Sequence, residues 1–264
     1  MTHSTTKGSS IKRFITEILI TAFWLLVWEL LYLYVGKEIL VVSPFHAARR
    51  LLQLAGSQDF WISVAGSCMR VVVGFFLALT TGILLAVLTN RFELAHLLLR
   101  PVLGIVKATP VASFIILALL WISTGRLPVF CAFLMVVPLV WANLHTGLAN
   151  TDPQLLEMAS VFRFSRWKKV RLIYIPALVP YFVAACSTGL GFAWKSMVAA
   201  EVISKPDNAI GTRIYETKVY LETADLFAWT IVVILLSLLL ERVTIFLLGR
   251  LSARLLRAPK ARGR

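Results

Sequence analysis

The chain has 264 residues, 59% of them hydrophobic, and a formal net charge of +14; its mean hydropathy is +0.82. Soluble domains carry ~45–50% apolar residues, so this composition excludes an ordinary soluble enzyme or binding module. The basic residues fall between and after long apolar runs, which points to membrane topology and anionic lipid, not to nucleic acid.

In chain order, six apolar runs approach or exceed the ~20 residues that cross a bilayer as a helix. They are Phe14–Val35, Val64–Asn90, Ala108–Ser123, Leu127–Leu148, Ala177–Ile203 and Leu226–Leu248. All are expected to be helical, because an open strand cannot satisfy its backbone in lipid. The expected class is an all-α polytopic membrane protein with about six transmembrane helices. The first run follows Lys12 and Arg13, but it is too long for a signal-peptide core and no A-x-A site follows it; it reads as a retained span. The third run is preceded by Pro101 and Pro110 and is expected to be kinked or short. The stretch "STGRLP" then turns the chain back into the fourth run.

Lys and Arg placement sets the orientation. With the N-terminus in the cytoplasm, seventeen of them fall in cytoplasmic segments and seven in outer ones. Both termini are therefore expected to be cytoplasmic. Met1–Ser10 and Ala258–Arg264 read as disordered tails. Two amphipathic segments, "SPFHAARRLLQLAGSQDF" and "SKPDNAIGTRIYETKVYLETADLF", are expected on the outer side. Cys68, Cys131 and Cys186 sit in apolar runs and read as small buried hydrophobes. The four histidines are scattered in sequence and suggest no metal site.

The run "DPQLLEMASVFRFSRWKKVRLIYIPALVP" (Asp152–Pro180) lies between the fourth and fifth spans. Asp152 suits an N-cap and Pro153 the first helical position. Leu155, Leu156, Ala159 and Phe162 then form one apolar stripe. Arg163, Arg166, Lys168, Lys169 and Arg171 make a basic flank. The expectation is a short cytoplasmic helix, with no breaker before Pro176. Two readings stay open on the residues alone: a helix lying on the lipid surface, or one seated in a groove of a soluble partner.

This stretch resembles the cytoplasmic loop of bacterial ABC importer permeases of the binding-protein-dependent type. That loop reads Glu-Ala-Ala, three residues, Gly, then about nine residues and Ile-x-Leu-Pro. Here Glu157-Met158-Ala159 is followed by "SVF", Arg163 at the glycine place, and Ile173-Tyr174-Ile175-Pro176. Further on, "GLGFAWKSMVAAEVIS" with Ile210-Gly211 is similar to the fifth-span signature of the nitrate/sulfonate/taurine/bicarbonate group. "SPFHAARRLLQLAGSQDFW" with "SVAGSCMRVVVGFFLALTTGILLAV" matches that group's run into the second span.

The resemblance implies a five-helix permease core plus one N-terminal helix. The expected division is a cytoplasmic tail at 1–13, a first helix at 14–35, an outer amphipathic segment at 36–63, a core at 64–250 with its coupling segment at 152–175, and a basic tail at 251–264. It implies docking of an ATP-binding subunit through Leu155, Leu156, Glu157, Ala159, Phe162 and Arg163. The partners implied are two ATP-binding subunits, a second copy of the permease, an extracytoplasmic solute-binding protein and membrane lipids, in a bacterial cytoplasmic membrane. The missing glycine leaves two options: a more continuous coupling segment, or Arg163 adopting the turn at some cost. No G-x-x-x-x-G-K-[ST] stretch exists in the chain; if transport is ATP-driven, as the resemblance implies, ATP and Mg are expected on partner subunits, with no cofactor or catalytic residue in this chain.

Polar groups inside spans are functional candidates. Lys195 beside Trp194 reads as a cation on the translocation path, or as the partner of an acid on another helix. Thr109, Ser113 and Asn143 either line that path or bond helix carbonyls. Glu201 is a candidate outer gate, or a bond to loop backbone, and Arg70 is expected to snorkel. The cargo implied is a small anionic or zwitterionic solute: a sulfonate, nitrate, bicarbonate or a vitamin precursor. The rival reading is a secondary transporter driven by an ion gradient, which calls for matched broken helices and a midplane acid.

Overall fold

The long apolar runs become helices because each backbone donor in lipid must find its acceptor within its own segment. The computed structural model describes residues 6–255, with side chains for residues 15–250 and 252–253. Residues 1–5 and 256–264, which hold much of the two expected tails, lie outside the described residues. The described chain is all-helical, with no strand among these residues. Five helices are long and apolar enough to span a bilayer, or six if one bent pair counts as a span.

The chain divides into two compact units. The first comprises Met1–Trp61 and Arg213–Val232. It holds α1 (Thr6–Val35) and α2 (Pro44–Ala55), with parts of α10 (Ile210–Val219) and α11 (Thr223–Leu255). α1 starts eight residues before the expected Phe14, since no proline interrupts the stretch and an established helix extends at little cost per residue. α2 is the helix of the first expected amphipathic segment; Ser43 caps it by accepting from the His46 N–H at 3.1 Å. The Trp28 indole donates to the Val42 carbonyl at 3.0 Å and stacks on Phe227. Arg50 forks onto Asp225 through Nε and Nη2, the latter at 3.0 Å. The Thr223 hydroxyl donates to the Ile39 carbonyl at 2.7 Å.

The second unit comprises Ile62–Thr212 and Val233–Arg264. Its helices include most of α3 (Gln58–Arg91), then α4 (Glu93–Ala108), α5 (Val111–Ala118), α6 (Leu127–Ala149), α7 (Pro153–Val161), α8 (Arg166–Lys169) and α9 (Ile175–Ser204); a π-helical turn, Val170–Tyr174, joins α8 to α9. α6 packs along α9, and one buried cluster joins Ile115 and Ala118 of α5, Leu127 and Cys131 of α6 and Ala200 of α9. α3 approaches α6 closely at Gly82, where a Cβ would lie 2.7 Å from the Val140 side chain. Small residues serve this purpose in membrane helix pairs.

The third expected span is short and bent, as its prolines suggested, but its bounds are corrected. Ala108–Ser123 is not one helix: α4 and α5 meet at a bend of 104°, and α5 ends at Ala118. Pro110 is the cause. It holds Thr109 in extended backbone, φ −74° and ψ 128°, as a residue before proline prefers. Pro101, expected as a break, instead lies inside α4. Cys131 and Cys186 are buried and Cys68 is half-buried; all three are free.

Candidate functional site

The loop between α6 and α9 begins as its sequence predicts. The Asp152 carboxylate accepts from the Gln154 N–H at 2.8 Å, with Pro153 in the first turn. The helix then stops at Val161, well before Pro176, which is the second of the two options left by the missing glycine. Arg163 has φ +52°. Its N–H bonds to the Ser160 carbonyl at 3.0 Å, and the Phe164 N–H bonds to the Ala159 carbonyl at 2.8 Å. This pair of bonds is a Schellman C-cap. Ser165 then caps α8, accepting from the Lys168 N–H at 3.3 Å; it is a start signal that the sequence reading missed.

Arg163 therefore takes the turn that glycine makes in the resembled loop. A left-handed non-glycine residue costs ~1–2 kcal/mol. Arg163→Gly is accordingly expected to raise the thermal unfolding midpoint of the purified protein, and Arg163→Val to lower it. If glycine lowers the midpoint, the arginine side chain contributes more than its backbone strain costs.

The apolar stripe splits between two environments. Ala159 is buried and Leu156 half-buried, so both face the protein. Leu155 is exposed and Phe162 is 69% exposed, joined by Met158 and Val161, which the stripe had not included. Glu157 and Arg163 are also exposed. A short helix thus presents four apolar side chains outward, edged by one carboxylate and a basic turn.

Near the other end of α9 lies a buried charge network. Glu201 is 0% exposed. Its two oxygens accept from the Ser67 hydroxyl at 2.9 and 2.8 Å, from the Gly211 N–H at 3.0 Å and from Arg70 Nη1 at 3.1 Å. Ser67 in turn accepts from the Ile210 N–H at 3.0 Å. Arg70 also donates to the Asn208 and Asp207 carbonyls at 3.0 and 2.7 Å. Arg70 does not snorkel: it pairs across helices. Glu201 is not solvated as an open gate would be; it fastens the 207–211 segment to α3 and α9. Ser67, Arg70 and Gly211 were missed as a group, although two opposite charges at the same end of two spans were the available signal.

The expected path residues scatter. Trp194 is 2% exposed, and its indole donates to the Val233 carbonyl at 3.2 Å. Trp194 therefore packs inside the bundle beside its exposed neighbour Lys195. Lys195 and Ser113 are exposed. The Thr109 hydroxyl donates to the Ile105 carbonyl at 2.8 Å and the Asn143 amide to the Leu139 carbonyl at 2.8 Å, the bonds to helix carbonyls weighed above. His96 and His145, far apart in sequence, stack at 4.5 Å beside Trp141, whose indole donates to the Thr89 hydroxyl at 2.9 Å. No group of three metal-ligating side chains occurs among the described residues.

Comparison with known proteins follows the same outline. Residues 78–257 match the family described as "Binding-protein-dependent transport system inner membrane component". The taurine transport system permease protein TauC of Escherichia coli is 22% identical, covering 81% of this chain and 80% of its own length. The nitrate import permease protein NrtB of Synechococcus elongatus is 24% identical, covering 80% and 78%. The putative aliphatic sulfonates transport permease protein SsuC of Bacillus subtilis is 23% identical, covering 81% and 78%. Among solved structures, an inward-facing form of the MetNI methionine ABC transporter shares the fold, with a TM-score of 0.54 at 16% identity over 75% of this chain and 94% of that one. The family match spans most of the chain and includes the capped loop between α6 and α9 and, of the buried network, Glu201 and Gly211, so the chain belongs to the inner-membrane permease components of binding-protein-dependent ABC importers.

Proposed function

We propose that this permease works as a homodimer with two ATP-binding subunits and an external solute-binding protein, and that α7 is the element the ATP-binding subunit grips. The observation that carries the proposal is the outward apolar set Leu155, Met158, Val161 and Phe162 on a capped helix between two spans. An exposed apolar face with anchors at i, i+3 and i+7 suits a groove in a protein. Leu156, Ala159 and the Schellman turn hold that helix against its own chain, so a push on α7 reaches α6 and α9. ATP and Mg act on the partner; this chain supplies the path and the lever.

The Lys and Arg bias supports both termini and α7 in the cytoplasm. The cargo is a small anionic or zwitterionic solute. The relatives' names concern taurine, nitrate and sulfonates, and exposed Lys195 on α9 supplies a cation that a neighbouring anion can find.

The test is ATP-driven uptake in vesicles holding the permease with its ATP-binding subunit and binding protein. Glu157→Lys is expected to abolish the ATPase stimulation by loaded binding protein and to weaken co-purification of the ATP-binding subunit. Lys195→Ala is expected to leave assembly intact and to lower uptake about tenfold, a ~1.4 kcal/mol effect. Unchanged coupling in the Glu157 variant removes α7 as the docking element. Unchanged uptake in the Lys195 variant removes that cation from the path.

A further inference from the structure

The Schellman turn divides the basic cytoplasmic run into two parts with different surroundings. Before it, α7 carries the exposed apolar set. After it, α8 and the π-helical turn carry Arg166, Lys168, Lys169 and Arg171 and continue without a break into α9. No Asp or Glu occurs between Glu157 and Glu201, so these cations meet no acid nearby in sequence. Two of them are tethered to the chain itself. Lys169 Nζ donates to the Ser160 hydroxyl at 3.1 Å, and Lys168 Nζ lies 4.0 Å over the Phe164 ring. Arg166 and Arg171 are exposed, and between them Trp167 is 71% exposed.

Length places this group in the membrane frame. α9 has 30 residues, ~45 Å at 1.5 Å per residue, about the thickness of a bilayer with its headgroups. Arg171 lies one turn before α9, ~6 Å along the axis, and so at the outer rim of the headgroup layer, within reach of its long side chain. An exposed tryptophan beside cations at the end of a span is the signature of that layer. A guanidinium binds phosphate oxygens in a planar fork, and each basic residue near an anionic surface contributes ~1 kcal/mol. The other occupant to weigh is an acidic rim on the ATP-binding subunit. Continuity with the span and the exposed Trp167 favour lipid.

We propose that α8 and the following π-helical turn form a site for an anionic phospholipid of the cytoplasmic leaflet. Arg171 holds its phosphate, Trp167 lies one turn before it on the same face beside the headgroup, and Arg166 adds positive charge next to them. The lipid would brace the start of α9 while α7 moves. The leaflet assignment rests on the topology proposed above; the headgroup chemistry does not.

The full-length permease is placed in lipid nanodiscs of phosphatidylcholine in which the minority lipid is either brominated phosphatidylglycerol or brominated phosphatidylcholine. Trp167 emission is taken as the difference between wild type and Trp167→Phe. Two basic residues at ~1 kcal/mol each correspond to local enrichment of about thirtyfold, so brominated phosphatidylglycerol is expected to quench Trp167 far more strongly. Arg166→Gln/Arg171→Gln is expected to erase that difference while the ATP-binding subunit still co-purifies. Equal quenching by the two lipids in wild type overturns the site, as does a preference that survives the double variant. Loss of the ATP-binding subunit from the double variant with no lipid preference in wild type assigns the cations to the protein partner instead. Topology is read separately: Gln154→Cys should react with a membrane-impermeant maleimide in inside-out membranes only. Reaction from the outer face overturns the leaflet and the proposal with it.

Discussion

Arg70→Met is expected to destabilise the permease severely, by ~3–5 kcal/mol, the usual cost of leaving a buried charge without its partner. Arg70 makes three polar contacts, to the Glu201 carboxylate and to the Asp207 and Asn208 carbonyls. The Glu201 side chain is fully buried and that of Arg70 is 17% exposed, so water cannot replace the lost donors fully. Ser67 and the Gly211 N–H still hold the carboxylate, which keeps the cost toward the lower end. The thermal unfolding midpoint of the protein in lipid measures it. Glu201→Gln in the same chain removes the uncompensated charge, so Arg70→Met/Glu201→Gln should lose less than the sum of the two single changes, by about 1–3 kcal/mol. A snorkelling arginine makes a different forecast: a shift within ~0.5 kcal/mol and simple additivity.

Gly211→Ala is expected to have a comparable effect for a steric reason. A Cβ at this position would press on the Glu201 Cβ and lie 2.6 Å from the Val202 nitrogen and 2.8 Å from the Glu201 carbonyl carbon. These are mostly backbone atoms inside α9 and cannot rotate away. Overpacking typically costs ~1–3 kcal/mol and occasionally more; here the same shift also withdraws the Gly211 N–H from the Glu201 carboxylate. Loss of about 3 kcal/mol is expected, with faster amide exchange across residues 207–211. Gly125, around which a Cβ meets nothing, serves as control: Gly125→Ala should leave the midpoint unchanged. If both alanines behave alike, the close approach at Gly211 is not a constraint.

The sequence by itself determined the spans and the start of the helix between the fourth and fifth of them. The second, fourth, fifth and sixth runs reappear as α3, α6, α9 and α11, within a few residues at most ends, because twenty apolar residues in lipid have only the helix available. Asp152-Pro153 fixed the start of α7 through a local hydrogen bond that involves no distant residue. Local chemistry was also sufficient for α2 and its Ser43 cap.

Only the tertiary structure decided what polar groups inside the spans do. Trp194 and Lys195 are chain neighbours, yet helix geometry turns one into the bundle and the other outward. Arg70 and Glu201, like His96 and His145, meet across long sequence separations that no periodicity encodes. The bend at Thr109–Pro110 was signalled, but its 104° angle was not, since a proline permits a range of directions and packing selects one. The left-handed turn at Arg163 is the sharpest instance. Its residue type argues against that backbone, and the two Schellman bonds together with the burial of Ala159 hold it there, because a few tenths to two kcal/mol of local preference yields to contacts worth more.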